Sequence, residues 1–316
     1  MFRILLASLL LAASAARADG PSAPRPIHVG IYLTQLSALD LKAHSFQADF
    51  WIWFRFNGEG LSPVDSFELV GGRVLSRGTV LKKALPNGET YQAVRVNALL
   101  QHEWDLHQFP LDDHRLRIRV EDSDQEAEQA VFVADAENEG VDPDLLLAGF
   151  RVTGHAHEVT THGYASNYGD TSLAKGASSR YSRYEFAVDL ARTGWGRFLK
   201  LFFGLFVATL VSWCSAFIRP KDASPRVSVS VGALFAASAV TVAINNQVPD
   251  TSYVTLADRL VYLSLGTILL SLVGTVLALS FHYRNEEARH RRLDRVSVFV
   301  LPSAYVLVLT ALIALG

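Results

Sequence analysis

Hydrophobic and polar positions follow two regimes along this chain. Before Arg192, apolar residues come in short bursts separated by turn residues; from Phe198 onward they come in four long runs. The longest early burst, Phe46 to Phe56, is aromatic and β-prone. Strand alternation puts Phe50, Ile52 and Phe54 on one face and Trp51, Trp53 and Arg55 on the other. Asn57-Gly58-Glu59-Gly60 ends it as a turn. Phe67–Val70, Tyr91–Leu100, Arg115–Val120 and Gln129–Ala134 read as further strands, with a hairpin signal at Pro86-Asn87-Gly88. Gly149–Thr161 and Tyr181–Leu190 form a last pair, joined by a polar Gly/Ser-rich stretch from Ser166 to Ser179. Short strands with regular turn signals predict a β-sandwich.

The four runs are Phe198–Ile218, Val227–Ile244, Leu260–Phe281 and Val296–Leu315. Each is near the length needed to cross hydrocarbon. Composition agrees: half of the 316 residues are hydrophobic, as in a membrane protein. A net charge of -2 argues against nucleic acid as a partner. The predicted fold class is therefore α+β, a β-sandwich followed by a four-helix transmembrane bundle. At the N-terminus, Arg3, the apolar stretch Ile4–Ala13 and Ala16-Arg17-Ala18 describe a signal peptide over residues 1–18. That leaves an exported domain over 19–196 and a membrane domain over 197–316. Basic residues support the same orientation. Arg219, Lys221 and Arg226 separate the first two runs, and Arg284, Arg289, Arg291, Arg292 and Arg295 the last two. Asn245 to Asp258 has no Lys or Arg, so the sandwich and both termini are expected outside. Cys214 is a lone thiol within an apolar run and reads as a small hydrophobe.

The second run differs from the others. It carries Ser228, Ser230, Ser238 and Thr241 among Gly232 and many alanines. At helical spacing one stripe runs Ser228, Gly232, Phe235, Ala239, Val242, Asn246. Two readings fit. Several copies of the helix line a wet pathway, or one helix is buried in a monomeric bundle glued by small residues and hydroxyls.

The order of strand domain, Phe109-Pro110-Leu111-Asp112, Arg192 and four runs resembles pentameric ligand-gated ion channels, the Cys-loop receptor family, in its prokaryotic branch without the disulfide. Gly30-Ile31-Tyr32-Leu33 with Leu39-Asp40 and Lys42 is similar to the first strand and its turn. Ser212-Trp213 and Val248-Pro249-Asp250-Thr251-Ser252-Tyr253 resemble the end of the first helix and the linker after the pore helix. The resemblance implies a homopentamer, an agonist site between subunits and an axial pore lined by the second helix. It implies a buried Asp112–Arg192 pair at the domain junction, joined by Asp40, with Phe109, Pro110, Pro249 and Tyr253 carrying motion to the pore helix. It also implies agonist contacts at Trp51, Trp53, Arg55, Tyr164, Tyr168 and Tyr181. There are departures. Asn57–Ser66 is a short turn where the family has a longer stretch, and Gly204 stands in place of a proline. Arg226 stands near the inner mouth, either favouring anions or facing the cytoplasm.

His155, His157 and His162, and the acidic run Glu121, Asp122, Asp124, Glu126, Glu128, read as a solvated strand and a solvated loop rather than a metal site. The histidines also make protons a candidate agonist. No nucleophile–base pair or phosphate loop stands out, so no enzymatic activity, cofactor or metal is expected. The expected partners are membrane lipid, small inorganic ions and a small-molecule agonist or protons, and the expected location is the cytoplasmic membrane. The rival reading is a non-conducting receptor or scaffold of the same fold.

Overall fold

A computed structural model describes residues 23–166, 169, 178–193, 195–219 and 221–315. The proposed leader and Tyr168 lie outside the described residues.

The first domain is built from β1 (Arg25–Asp40), β2 (Ser45–Phe56), the short helix α1 (Pro63–Ser66), β3 (Phe67–Leu69), β4 (Gly72–Arg77), β5 (Leu81–Ala84), β6 (Thr90–Gln101), β7 (His114–Asp122), β8 (Ala130–Ala134), β9 (Gly140–Val141), β10 (Phe150–Tyr164) and β11 (Ser179–Arg192). One sheet runs β4-β6-β2-β1-β8, with β5 also on β6 and β9 also on β1; the other runs β10-β11-β7-β3. The predicted alternation in β2 holds: Phe46, Phe50, Ile52 and Phe54 are fully buried. They pack in one core with Val94 and Val96 of β6, Ile118 and Val120 of β7 and Phe186 of β11. Each such side chain contributes about 1.5–3 kcal/mol by leaving water. The Pro86-Asn87-Gly88 signal does close a hairpin, pairing Leu81 with Ala93 and Ala84 with Thr90.

Strands β4 and β5 were not foreseen. Every residue in them is exposed, so no inward-facing period marks them. Arg73, Arg77, Lys82 and Lys83 put charge on these strands, a usual way to keep sheet edges from pairing with other chains.

The second domain holds α2 (Gly196–Cys214), α3 (Ala223–Asn245), α4 (Leu256–Tyr283), α5 (Glu287–Arg295) and α6 (Leu301–Leu315), with a π-helical turn Val296–Val300 between the last two. Four helices are long and apolar enough to cross a membrane: Gly196–Phe217, Ala223–Asn245, Leu256–Tyr283 and Glu287–Ala314. The chain is thus a multi-pass α+β membrane protein whose apolar helices contact lipid. Two boundaries moved for local reasons. Helix α4 starts at Leu256 because Thr255 and Asp258 form a reciprocal capping box. The last span starts at Glu287, inside what read as a basic connection. The stretch is rich in helix formers and is braced by Arg291–Glu287 at 3.2 Å. Helix α3 packs against α2 and α4. At Gly204 of α2 an added Cβ would stand 3.0 Å from Val240 Cγ2, so the missing side chain sets how closely α3 approaches.

Candidate functional site

The two domains meet at the loop between β6 and β7, which ends in a cis Phe109–Pro110 bond. Phe109 is fully buried. Beyond it, the Asp112 carboxylate accepts from Arg192 Nε and Nη2, both at 3.1 Å. His114 Nε2 lies 2.5 Å from the same carboxylate. The Asp112 and Arg192 side chains are 2% and 3% exposed. Burial alone would raise the Asp112 carboxyl, but the His114 contact and the Arg192 charge together hold it below the ordinary aspartate range. The arginine plane also lies 4.3 Å from the Phe150 ring centroid and 5.9 Å from that of Phe109.

Asp40 stands outside this cluster. Its Oδ1 accepts the backbone N–H groups of Lys42 and Ala43, both at 2.9 Å, so it closes its own turn instead of joining Arg192. Its carbonyl accepts from Trp104 Nε1 at 3.1 Å.

The same β6–β7 loop grips the linker after α3. Leu106 N donates to the Tyr253 hydroxyl at 3.0 Å, and Leu256 N donates to His107 O at 2.9 Å. His107 and Tyr253 stack with centroids 3.8 Å apart and planes 5° from parallel. Pro249 lies in that linker, half-buried, three residues past the end of α3 at its cap, Asn246.

Helix α3 presents two opposed stripes. Arg226, Ser230, Ala233, Ala237 and Ile244 are buried against its neighbours. Half a turn away, Ser228, Gly232, Phe235, Ala239, Val242 and Asn246 are all exposed, Phe235 at 72% and Val242 at 61%. The helix is therefore not sealed within one chain's bundle. Its open face mixes Ser228, Gly232, Ala239 and Asn246 with the apolar Phe235 and Val242, whereas on α2 the large apolar residues Leu199, Phe203, Val207 and Leu210 stand exposed.

The aromatic residues fall into two groups on different sheets. On β2, Trp53 lies over Gly30, where an added Cβ would run into the indole. Its Nε1 donates to Asp135 at 2.9 Å. Arg55 pairs with Asp135 at 3.1 Å and with Glu89 at 3.5 Å. Trp53, Arg55 and Asp135, with Tyr91, Lys83 and Asn138, line a pocket of about 430 Å³. Trp51 is half-buried, opposite Tyr32 and Arg95 in the sheet register. On the β10–β11 hairpin, Tyr164 and Tyr181 meet edge to face at 5.9 Å. Tyr164 OH donates to Glu121 at 2.9 Å, and Arg183 Nε donates to the same carboxylate at 2.6 Å. One chain does not bring the two groups together.

Glu121 and Arg183 were missed as site residues. The acidic run is not a solvated loop at its start: Glu121 is 0% exposed and Asp122 5%. Glu68 faces Glu121 across the β3–β7 register. Burial first, then Glu121 and Asp122, raise the Glu68 carboxyl, and burial raises that of Asp122. The inward period of β7 carries through Val120 into Asp122, and that signal was in the sequence. Nor is the histidine strand simply solvated. His157 Nδ1 lies 2.5 Å from Glu139, which also accepts from Tyr184 OH at 2.6 Å. Among the described residues no three His, Cys, Asp or Glu side chains are grouped to hold a metal ion. Arg226 neither lines an open face nor reaches water. Its side chain is 1% exposed and bonded to Asp294. No known protein-family model matches the chain, and no curated protein matches it.

Proposed function

We propose that this chain is one subunit of a homopentameric ligand-gated ion channel, with the sheet domain outside a bacterial-type cytoplasmic membrane and α3 lining the axial pore. The observation that carries the reading is the grip of the β6–β7 loop on Tyr253. It links the sandwich to the linker at the end of α3, whose open face carries Ser228, Gly232, Ala239 and Asn246 beside Phe235 and Val242. A displacement of the sandwich therefore acts on α3 through the linker that carries Pro249. The Asp112–Arg192 pair stands at the root of that loop and at the entry to α2, so the same movement strains it.

In a ring, the Tyr164–Tyr181 hairpin of one subunit would face the Trp51–Arg55 strand of the next, and the agonist, a small molecule or protons, acts between them. Phe235 is the widest ring of the pore stripe and closes it by dewetting. The test is particle symmetry of the detergent-purified protein by electron microscopy, together with ion flux in liposomes. Five-fold particles and flux that rises in Phe235→Ala support the reading. Monomers or dimers would overturn the assembly, and five-fold particles without flux in either form would leave a non-conducting receptor.

A further inference from the structure

A pocket of about 490 Å³ lies at the junction end of the sandwich, apart from both aromatic groups. His44, Gln101, His102, Glu103, Arg117 and Arg119 line it. Its walls are held by backbone bonds from different elements. Val70 N donates to Arg119 O at 3.0 Å, Gln101 N to Gly71 O at 2.8 Å and His102 N to His44 O at 2.8 Å. The cavity is therefore preformed and does not need a ligand to shape it.

Its chemistry is that of an incomplete ion pair. Arg117 and Arg119 share one carboxylate: Glu185 lies 2.9 Å from Nε of the first and 2.8 Å from Nε of the second. Among the described residues, the outer nitrogens of both guanidiniums make no hydrogen bond, and neither does the His102 ring. Glu103 supplies the acid on the rim. Arg115, next on the same strand face, by contrast donates from both Nε and Nη2 to Asp189, at 2.7 and 3.0 Å.

We propose that this pocket binds a small anion, a carboxylate or a sulfate-like oxyanion, held by the free guanidinium nitrogens of Arg117 and Arg119 and by the His102 imidazole. Forked donors of this kind match the paired oxygens of such groups. Burial first, and then the nearby charges of His114, Arg117, Arg119 and His44, push His102 down to about 4. An anion beside the ring reverses that bias, so its binding takes up a proton and strengthens as pH falls. The site adjoins the domain junction. The His102 ring is 4.5 Å from Trp104 and 6.3 Å from His114, the residue that holds Asp112.

The experiment is calorimetric titration of the detergent-purified full chain with sodium sulfate and, separately, sodium acetate at fixed ionic strength. Saturable binding is expected for at least one of them, about threefold or more tighter near pH 5 than near pH 7.5. Sulfate alone identifies an oxyanion site and acetate alone a carboxylate site. Arg117→Gln with Arg119→Gln weakens binding about tenfold, and Arg115→Gln leaves it unchanged. No saturable heat from either anion, or equal affinity in the double variant, overturns the proposal. If the double variant does not fold, His102→Gln decides. It must lose the pH dependence and bind no more tightly than the parent near pH 7.5, and a pH dependence that persists would remove the site.

Discussion

Two buried arginine–aspartate pairs stand at opposite ends of the bundle, and they are built differently. At the sandwich end, both oxygens of Asp112 are engaged by Arg192, His114 adds a third contact, and two aromatic rings flank the guanidinium. At the far end, Arg226 reaches Asp294 through one nitrogen, while its Nε and Nη1 are buried without a partner. Asp294 is 23% exposed and is shared with His290 at 3.2 Å. A buried charge is tolerated only when its bonds are made. The sandwich-end pair leaves only Arg192 Nη1 buried without a partner, so it is the better bonded of the two. The far pair, which holds the base of α3, is the more poorly bonded of the two.

The largest expected effect tests the better-bonded pair. Asp112→Ala leaves Arg192 uncompensated and should lower unfolding free energy by about 3–5 kcal/mol in denaturant melts. Asp294→Ala should cost roughly half of that, because its carboxylate is partly hydrated. Equal losses would erase the contrast. The double change Arg226→Met, Asp294→Leu should then be neutral or stabilising. A steep loss instead would show that the far pair also holds something the contacts do not display.

Acid should act at the sandwich end. Folded His102 titrates at about 4, and in the unfolded chain near its ordinary value. Between those values the unfolded state binds the extra proton, so stability falls as pH drops through that window and returns as pH rises. The slope is at most on the order of 1 kcal/mol per pH unit, and His102→Gln should flatten it. Melts that are flat across the window in the parent chain would contradict this. The smallest effect concerns the linker. Thr255→Ala removes the capping box of α4 and should cost about 1 kcal/mol in the same melts. A loss above that of Asp294→Ala would make the cap a stronger anchor than the far pair and would break this order of effects.

Much of the architecture could be read from pattern. Long apolar runs allow few alternatives, and the inward period of β2 was explicit in its aromatics. The exposed edge strands β4 and β5 left no such period. The helix at Glu287–Arg295 was hidden because its charges read as a cytoplasmic connection while they also favour helix. At the site, Asp112, Arg192 and Tyr253 were found by order along the chain. The structure supplied their partners His114 and Leu106. Glu121 with Arg183, and Arg226 with Asp294, pair across 62 and 68 residues. No local spacing announces contacts of that kind, so an acidic run looked solvated and a basic residue looked free.

Gly204 gives α2 and α3 a point of contact where one side offers only backbone and the other the branched tip of Val240. A single methyl group there would act as a wedge, tilting one span away from its neighbour. The lean of α3 is thus set by an atom that is missing, and Gly204→Ala is the gentlest way to change it without touching either anchored end.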